Sequence, residues 1–559
     1  MEISTNLSDK ILDSSIVSLY VLLTLIYFLF SISFYNFFKN KLFTPSKKVS
    51  LIASFIIIAN YIFLLALYGT HTNFFDHAEA TIATVSWLFQ TGKPIYHGLD
   101  SAERYTIPYG PMLYVINGFF LNLLKPSIFS AKIGGILAGG LSLLLIFLGL
   151  KKVVGSKIAV FCSAYISLSF VSIYVYFAAA TFWNRSDSFL LMFVALGLLA
   201  VVRTNSLWAI ILSALSLGIS VNLKIHAFLY FLPIYVLLFF QYGICSTLVS
   251  LLGSIILTIA PFICLPQVSI NNYILWLSEF REQGISFNLL RGNIIWSLYL
   301  VAPIIFLIIY FHYINKREFF NFIKQHKIFI YSILISLIAV DVIGSKEGAG
   351  MNHIIPFDPV FSYWFALALV QTINVKKERV FRSVNKYLFC AYISLVLALV
   401  TVTLLRGVLN ETRLIALSTK YNSEPIDEIH QIVKSHPGIT IGMGYGGNYD
   451  LTYYRPILVY DGNPYLIDAV SVMDAEFLGK NIPPKTLEAL SSCQTKLWLI
   501  PKGDVPFKLY NYFNHRQVFS DELKSTFLTN YELKEQTKYY NLWFCKKKHT
   551  SSNEQGLNS

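Results

Sequence analysis

The sequence predicts an all-α polytopic membrane protein of about twelve transmembrane helices, with juxtamembrane helices on the outer face and a small C-terminal α/β domain. Three observations lead there. Of 559 residues, 55% are hydrophobic and only 13% charged, a composition that excludes an ordinary water-soluble globule. Apolar runs near the length needed to cross a bilayer recur from Ser15 to Leu405. Lys and Arg gather in short loops between those runs, so the net charge of +13 reports topology and lipid headgroups, not nucleic acid.

The first apolar run, Ser15–Phe38, has neither a basic leader nor a small-residue cleavage site, and so reads as a span, not a signal peptide. Acids precede it (Glu2, Asp9, Asp13) and bases follow it (Lys39, Lys41, Lys47, Lys48), which puts the N-terminus outside. Leu51–Thr70 returns to the outer face. Tyr109–Leu124 is short for a crossing and reads as a helix lying on the outer surface. Further spans are expected at Ile133–Leu150, Ile158–Ala180, Phe189–Val202, Leu207–Leu223, Ala227–Gln241 and Ile244–Leu265. Ile294–Tyr313, Phe329–Gly344, Ile354–Thr372 and Tyr387–Leu405 complete the set. The basic loops Lys151–Lys157, Arg203, Lys316–Lys327 and Lys376–Lys386 then all lie inside, and both termini lie outside.

After Arg406 the character changes. A helix-like Glu424–Lys434 is followed by strand-like Ile439–Gly442, Pro456–Tyr460, Lys496–Ile500 and Tyr540–Phe544. The expected domains are residues 1–50 (an extra N-terminal helix and cytoplasmic loop), 51–406 (the membrane catalytic domain), 407–548 (an outer-face α/β domain) and 549–559 (a disordered tail). Cys493 and Cys545 would pair if that domain faces an oxidising compartment, whereas Cys162, Cys245, Cys264 and Cys390 show no metal-ligand spacing. Gly442-Met-Gly444-Tyr-Gly-Gly447 fits a dinucleotide fingerprint. It reads as a chance match, because the helix after it is very short and the domain faces away from the cytosolic cofactor pool.

The chemistry concentrates in outward loops. Asp76 and Glu79, three apart, share one helix face. Glu79 is expected to raise the Asp76 pKa unless a cation intervenes, and a higher pKa makes a better base. Gly92-Lys-Pro-Ile-Tyr96 and Tyr105-Thr-Ile-Pro-Tyr109-Gly-Pro111 follow. Other loops carry Asn184-Arg185-Ser-Asp187, then Lys224 and His226, then Glu279, Arg281, Glu282 and Arg291, and finally Gly344-Ser-Lys346-Glu347-Gly-Ala-Gly-Met-Asn352-His353. Any one of these is an ordinary hydrated loop, and Glu279 and Glu282 are read so. Five on one face mark a site. Asp76, Glu79 and Asp187 suit general-base work or a divalent cation. Lys224, Arg281, Arg291 and Lys346 suit a phosphate, with a possible anion nest at Gly344–Gly350. His77, His97 and His353 are dispersed and read as hydrogen-bonded loop residues, not metal ligands. A carboxylate base with a phosphate clamp, on a face without nucleotide sugars, suits transfer of a group carried on a lipid phosphate.

Asp76-His-Ala-Glu79, Gly-x-Pro-Ile-Tyr96, Tyr105-x-x-Pro-Tyr-Gly-Pro111, Asn184-Arg-Ser-Asp187, Lys224 and Lys346-x-Gly-Ala-x-x-Asn352-His353 resemble the GT-C membrane glycosyltransferases. The nearest branch is the bacterial one similar to aminoarabinose transferase and protein O-mannosyltransferases, and the resemblance spans Leu51–Leu405. It implies an inverting transfer from a polyprenyl-phosphate sugar to a glycolipid, polysaccharide or protein acceptor at the outer face of a bacterial inner membrane. By that resemblance Asp76 is the base and Asp187 the second acid. Lys224, Lys346, Arg291 and Arg185 would hold the donor phosphate, with Tyr96, Tyr105, Tyr109, Asn352 and His353 in the substrate loops. The chain has Asp76-His77 where many relatives have adjacent acids, and Gly110-Pro111 where they have Pro-Pro. A divalent cation on Asp76, Glu79 and Asp187 therefore stays open. The rival functions are a lipid-sugar flippase or other transporter, which calls for mid-span polar residues and an internal repeat, and an outer-face polysaccharide ligase, which calls for Arg and His in one large late loop.

Overall fold

The computed structural model describes residues 19–33, 47–160, 162–163, 179–378, 386–419, 423–503, 505–511 and 514–546. The chain divides into two compact units, Met1–Tyr96 with Pro108–Asn422, and His97–Ile107 with Ser423–Ser559.

The first unit is helical. Its helices are α1 (Leu19–Ser33), α2 (Lys47–Thr70), α3 (His77–Gln90), α4 (Pro111–Leu124), α5 (Ile128–Val154), α6 (Ser186–Arg203) and α7 (Ser206–Val221). There follow α8 (Phe228–Cys264), α9 (Ile270–Arg281), α10 (Phe287–Ile314), α11 (Lys316–Ile343), α12 (Asp358–Glu378) and α13 (Lys386–Thr419). Among the described residues, 7 helices are long and apolar enough to cross a membrane: Leu51–Thr70, Ile128–Val154, Ser186–Arg203, Ile225–Cys264, Phe287–Tyr313, Lys316–Ile343 and Met351–Thr372. Large apolar side chains lie exposed on them, Phe55, Ile256 and Ile263 among others. Such surface is stable only in lipid, and the chain is an integral membrane protein.

The two expected spans Ala227–Gln241 and Ile244–Leu265 are two helical segments within α8, separated by a break at Gly243 (φ 82°). That positive φ is open to glycine at no steric cost. The expected span Leu207–Leu223 is the shorter α7, and Ile158–Ala180 lies largely outside the described residues. Helix α13 runs on past Arg406 to Thr419, and the second unit begins at Ser423.

Helix α5 carries Gly135 and Gly139 one turn apart. A Cβ at Gly135 would lie 2.2 Å from the Trp183 carbonyl oxygen, and one at Gly139 2.8 Å from that of Thr181. Small residues at this spacing let the 181–184 turn, which leads into α6, lie directly on α5.

The second unit contains α14 (Glu424–Ser435), β1 (Ile441–Met443), α15 (Arg455–Tyr460), α16 (Ala469–Phe477), α17 (Pro484–Ser491), β2 (Leu497–Pro501), α18 (Asp521–Asn530), β3 (Tyr531–Gln536) and β4 (Tyr540–Cys545). The sheet order is β1-β2-β4-β3, with β1 and β2 parallel and the other pairs antiparallel. Trp498, Phe507, Phe519, Phe527 and Tyr531 fill its core. A disulfide joins Cys493 to Cys545.

One sequence expectation is corrected here. Pro456–Tyr460 is not a strand but helix α15, with proline in its first turn, where the missing N–H is not needed. A short apolar run does not discriminate helix from strand. The Gly442–Gly447 run serves packing: a Cβ at Gly444 would lie 2.4 Å from Ile500 Cδ1, and one at Gly446 2.5 Å from the Pro501 carbonyl oxygen.

Residues 97–107 leave the first acidic loop and pair within this second unit. Arg104 N–H donates to Leu466 (2.7 Å) and Asp468 N–H to the Arg104 carbonyl (2.8 Å), forming a parallel bridge. Thr486 Oγ1 donates to the Ala102 carbonyl at 2.8 Å. Tyr105 stacks on Tyr465 at 5.6 Å.

Candidate active site

Asp76 is the N-cap of α3 and accepts from Ala78 N–H at 2.8 Å. Glu79 closes a capping box from the other side. Its Oε2 accepts from the N–H groups of Phe75 (2.9 Å) and Asp76 (3.0 Å), and its Oε1 from Asn184 N–H (3.0 Å) and the Tyr68 hydroxyl. Lys132, fully buried in α5, donates to the carbonyls of Tyr68 (3.0 Å), His71 (2.8 Å) and Asn73 (2.5 Å). Two N–H groups and three carbonyls around that turn are thereby satisfied.

Arg185, the N-cap of α6, is the hub of the site. Nη1 donates to Asp76 Oδ1 at 3.2 Å and Nη2 to the Tyr109 hydroxyl at 3.0 Å, while Nε lies 3.8 Å from Asp187 Oδ2. Its guanidinium sits 4.4 Å from the Trp183 ring centre. Asp187, in the first turn of α6 where the helix dipole favours an anion, accepts from Lys224 Nζ at 2.6 Å. The four side chains thus form one alternating row, Asp76–Arg185–Asp187–Lys224. Both acids are matched by a cation, which makes their burial tolerable.

Gly110 brings Tyr109 against Lys224. Its N–H donates to Leu223 at 3.1 Å, and Met112 N–H donates to Asn222 at 3.3 Å. A Cβ on Gly110 would fall 2.0 Å from the Asn222 carbonyl oxygen. Asn222 is itself tied to α8 through Leu257 and Thr258. Lys224 Nζ then lies 5.8 Å from the Tyr109 ring centre. His226 stacks on His353 at 5.1 Å, and the Tyr230 hydroxyl donates to the His353 carbonyl at 2.6 Å.

Burial opposes ionisation of Asp76, but His77, Arg185 and the Ala78 N–H outweigh it and hold the carboxyl below its ordinary pKa. Cations intervene between Asp76 and the upward influence expected from Glu79, and they dominate. Burial raises the Tyr109 phenol to about 12, so it is a neutral hydrogen-bonding group.

No protein-family model matches the sequence, and no curated protein does. Solved structures do. The crystal structure of ArnT from Cupriavidus metallidurans bound to undecaprenyl phosphate superposes with a TM-score of 0.52 at 12% identity, covering 89% of this chain and 98% of ArnT. The apo form of ArnT gives 0.53 at 11% identity, covering 87% and 97%. The oligosaccharyltransferase of Archaeoglobus fulgidus in its apo form is a looser likeness, with a TM-score of 0.46 at 11% identity, covering 82% and 70%.

The chain shares the fold of ArnT.

On this fold the residues singled out from sequence fall into three groups. Asp76, Arg185, Asp187, Lys224 and Tyr109 share one row joined by hydrogen bonds and, between Arg185 and Asp187, an ion pair. Tyr96 is buried beside it and donates to the Tyr109 carbonyl at 2.6 Å. His353 stacks on His226, two residues beyond Lys224, and Asn352 precedes it with a buried Nδ2 that has no hydrogen-bond partner among the described residues. Lys346 and Arg291 are outside the row: Lys346 Nζ donates to the Arg281 carbonyl at 3.1 Å, and Arg291 is exposed. Tyr105 belongs to the second unit.

Sequence reasoning missed the Lys132 anchor, whose signal was a lone lysine in an apolar run. It also misread Glu79, whose four donors make it a fixed part of the loop. Asp76-x-x-Glu79 ahead of an apolar run is itself a capping-box signature. A divalent cation does not fit the three acids. Both Glu79 oxygens are engaged, Asp76 and Asp187 are each paired with a cation, and among the described residues no cluster of three metal-ligating side chains forms.

Proposed function

We propose that this protein is a membrane glycosyltransferase that moves a sugar from a polyprenyl-phosphate donor to a glycolipid, polysaccharide or protein acceptor. The single observation that carries the reading is the Asp76–Arg185–Asp187–Lys224 row on the fold of ArnT, a protein crystallised with undecaprenyl phosphate. Asp76, only partly covered, takes the proton of an acceptor hydroxyl or amine. The freed electron pair attacks the anomeric carbon, and the bond from that carbon to the phosphate oxygen breaks in the same displacement, inverting the centre. The phosphate leaves with the bonding electrons, stabilised by Lys224 and Arg185. Lys346 and Arg291 supply further positive charge toward the lipid phosphate. Asp187 orients Lys224 and Arg185 and is not consumed.

The protein acts at the outer face of a bacterial inner membrane, with about twelve spans and both termini outside. A disulfide in the second unit fits an oxidising compartment on that side. The test is direct: purified protein in nanodiscs, given polyprenyl-phosphate sugars and envelope glycolipids, should release polyprenyl phosphate as glycosylated acceptor appears by mass spectrometry. Transport of intact donor with no release would instead favour a flippase.

A further inference from the structure

The second unit contains a cavity of about 210 Å³ that the site above does not use. Its lining includes Arg104, Glu476, Lys480, Arg516, Gln517 and Val518. Arg104 arrives on the 97–107 segment and is nearly buried, with Nη1 donating to the Leu99 carbonyl at 2.9 Å. That bond fixes the guanidinium, and the backbone bridge to Ile467 fixes the strand beneath it. Lys480 and Arg516 are exposed, and with Arg104 they make three cations beside the Glu476 carboxylate among the described lining residues. Glu476 takes Asn511 Nδ2 on one oxygen at 3.0 Å, which leaves the other able to accept a hydroxyl. Gln517 spends its amide N–H groups on Phe519 (2.5 Å) and Asp521 (3.1 Å), so its carbonyl is the group presented. Val518 provides apolar floor.

Each feature restricts the ligand. The cation excess calls for an anion, held by charge-assisted hydrogen bonds. The two acceptors beside it call for hydroxyl donors, and the apolar floor suits the C–H face of a ring. Among the described residues the lining is aliphatic, polar and charged, with no aromatic side chain. The volume is below that of sites for drug-sized ligands, and suits a single ring.

We propose that this cavity binds one saccharide unit bearing a carboxylate or phosphate, and that the second unit is a glycan-binding module completed by the 97–107 segment. The proposal stands independently of the catalytic role of Asp76.

The experiment is saturation-transfer NMR on the full-length protein in detergent, with glucuronate, glucose 6-phosphate and glucose as probes and inorganic phosphate as competitor. Both anionic sugars should give saturable signals and glucose none. Arg516→Glu and Lys480→Glu, both at exposed positions, should each weaken binding about tenfold or more, while Asp76→Asn should bind as wild type does. Equal binding of glucose, or indifference to both charge reversals, would overturn the proposal. So would displacement by inorganic phosphate at the same strength as the sugars, which would mean an adventitious ion only.

Discussion

The Asp76 carboxylate and the Arg185 guanidinium meet at 3.2 Å across 109 positions of sequence. Neither group is beside the other by accident of helix periodicity. Asp76 is fixed by capping α3, and Arg185 by the turn that α5's glycines let approach. The proposed base is thus ionised and aimed before any substrate arrives, in the manner of a preorganised site.

Asp76→Asn removes the proton acceptor but keeps the side chain's size and its capping of Ala78. Turnover should fall ~10²–10⁴-fold with an unchanged melting temperature, measured on purified protein by release of polyprenyl phosphate. Near-normal turnover would sink the mechanism.

The acid limb of the pH–rate profile should lie below the ordinary aspartate range of about 4, because Asp76 is held below its ordinary pKa. The sign is that of any depressed carboxyl: the ionised form is favoured in the folded protein. Its contribution to activity and stability is present above the unfolded value and lost as pH falls through the folded one. Arg185→Met should move the limb upward; a limb that stays put would deny Arg185 this role.

Asp187→Asn and Lys224→Met should each impair turnover, and the double variant should cost less than the two combined, since each single change strands a buried charge. Chelation with EDTA should leave wild-type turnover unchanged, because the acids are balanced by Arg185 and Lys224. Restoration of Asp187→Asn by added magnesium would contradict that balance.

Gly110→Ala should act at a distance from any reacting atom. The new Cβ meets the Asn222 carbonyl oxygen at 2.0 Å, so Tyr109 and Lys224 must part. Expected are a lower melting temperature and a turnover loss of about tenfold or more. Wild-type values for both would show that this contact yields freely.

Topology is checked with an impermeant thiol reagent on intact cells. Cysteine at Lys93, exposed near the end of α3, should label, and cysteine at Ser156, exposed beyond α5, should not. Labelling at Ser156 would invert the proposed orientation.

Much of the site was legible because charge in an apolar chain stands out. Arg185, Asp187 and Lys224 were each visible as polar residues in outward loops. Their pairing was not, since it depends on which helices pack, and nothing in the spacing signals the bond from Arg185 to Asp76. Glu79 was misassigned because the same three-residue spacing serves an acid pair and a capping box, and only burial separates them. Lys132 looked like a stray charge, yet it anchors three carbonyls. Strand β3 escaped notice because it is an edge strand with four exposed positions, three of them polar, which leaves little alternation to see.

The pairing of residues 97–107 with Leu466, Asp468 and Thr486 has a consequence for how the protein is made. The ribosome delivers that strand long before the remainder of its fold, and membrane insertion of the helices in between separates the two events. The second unit must therefore assemble on a strand already tethered at both ends. A fragment cut at Ser423 would lack Arg104 and the bridge it makes, and so would be an unfinished domain.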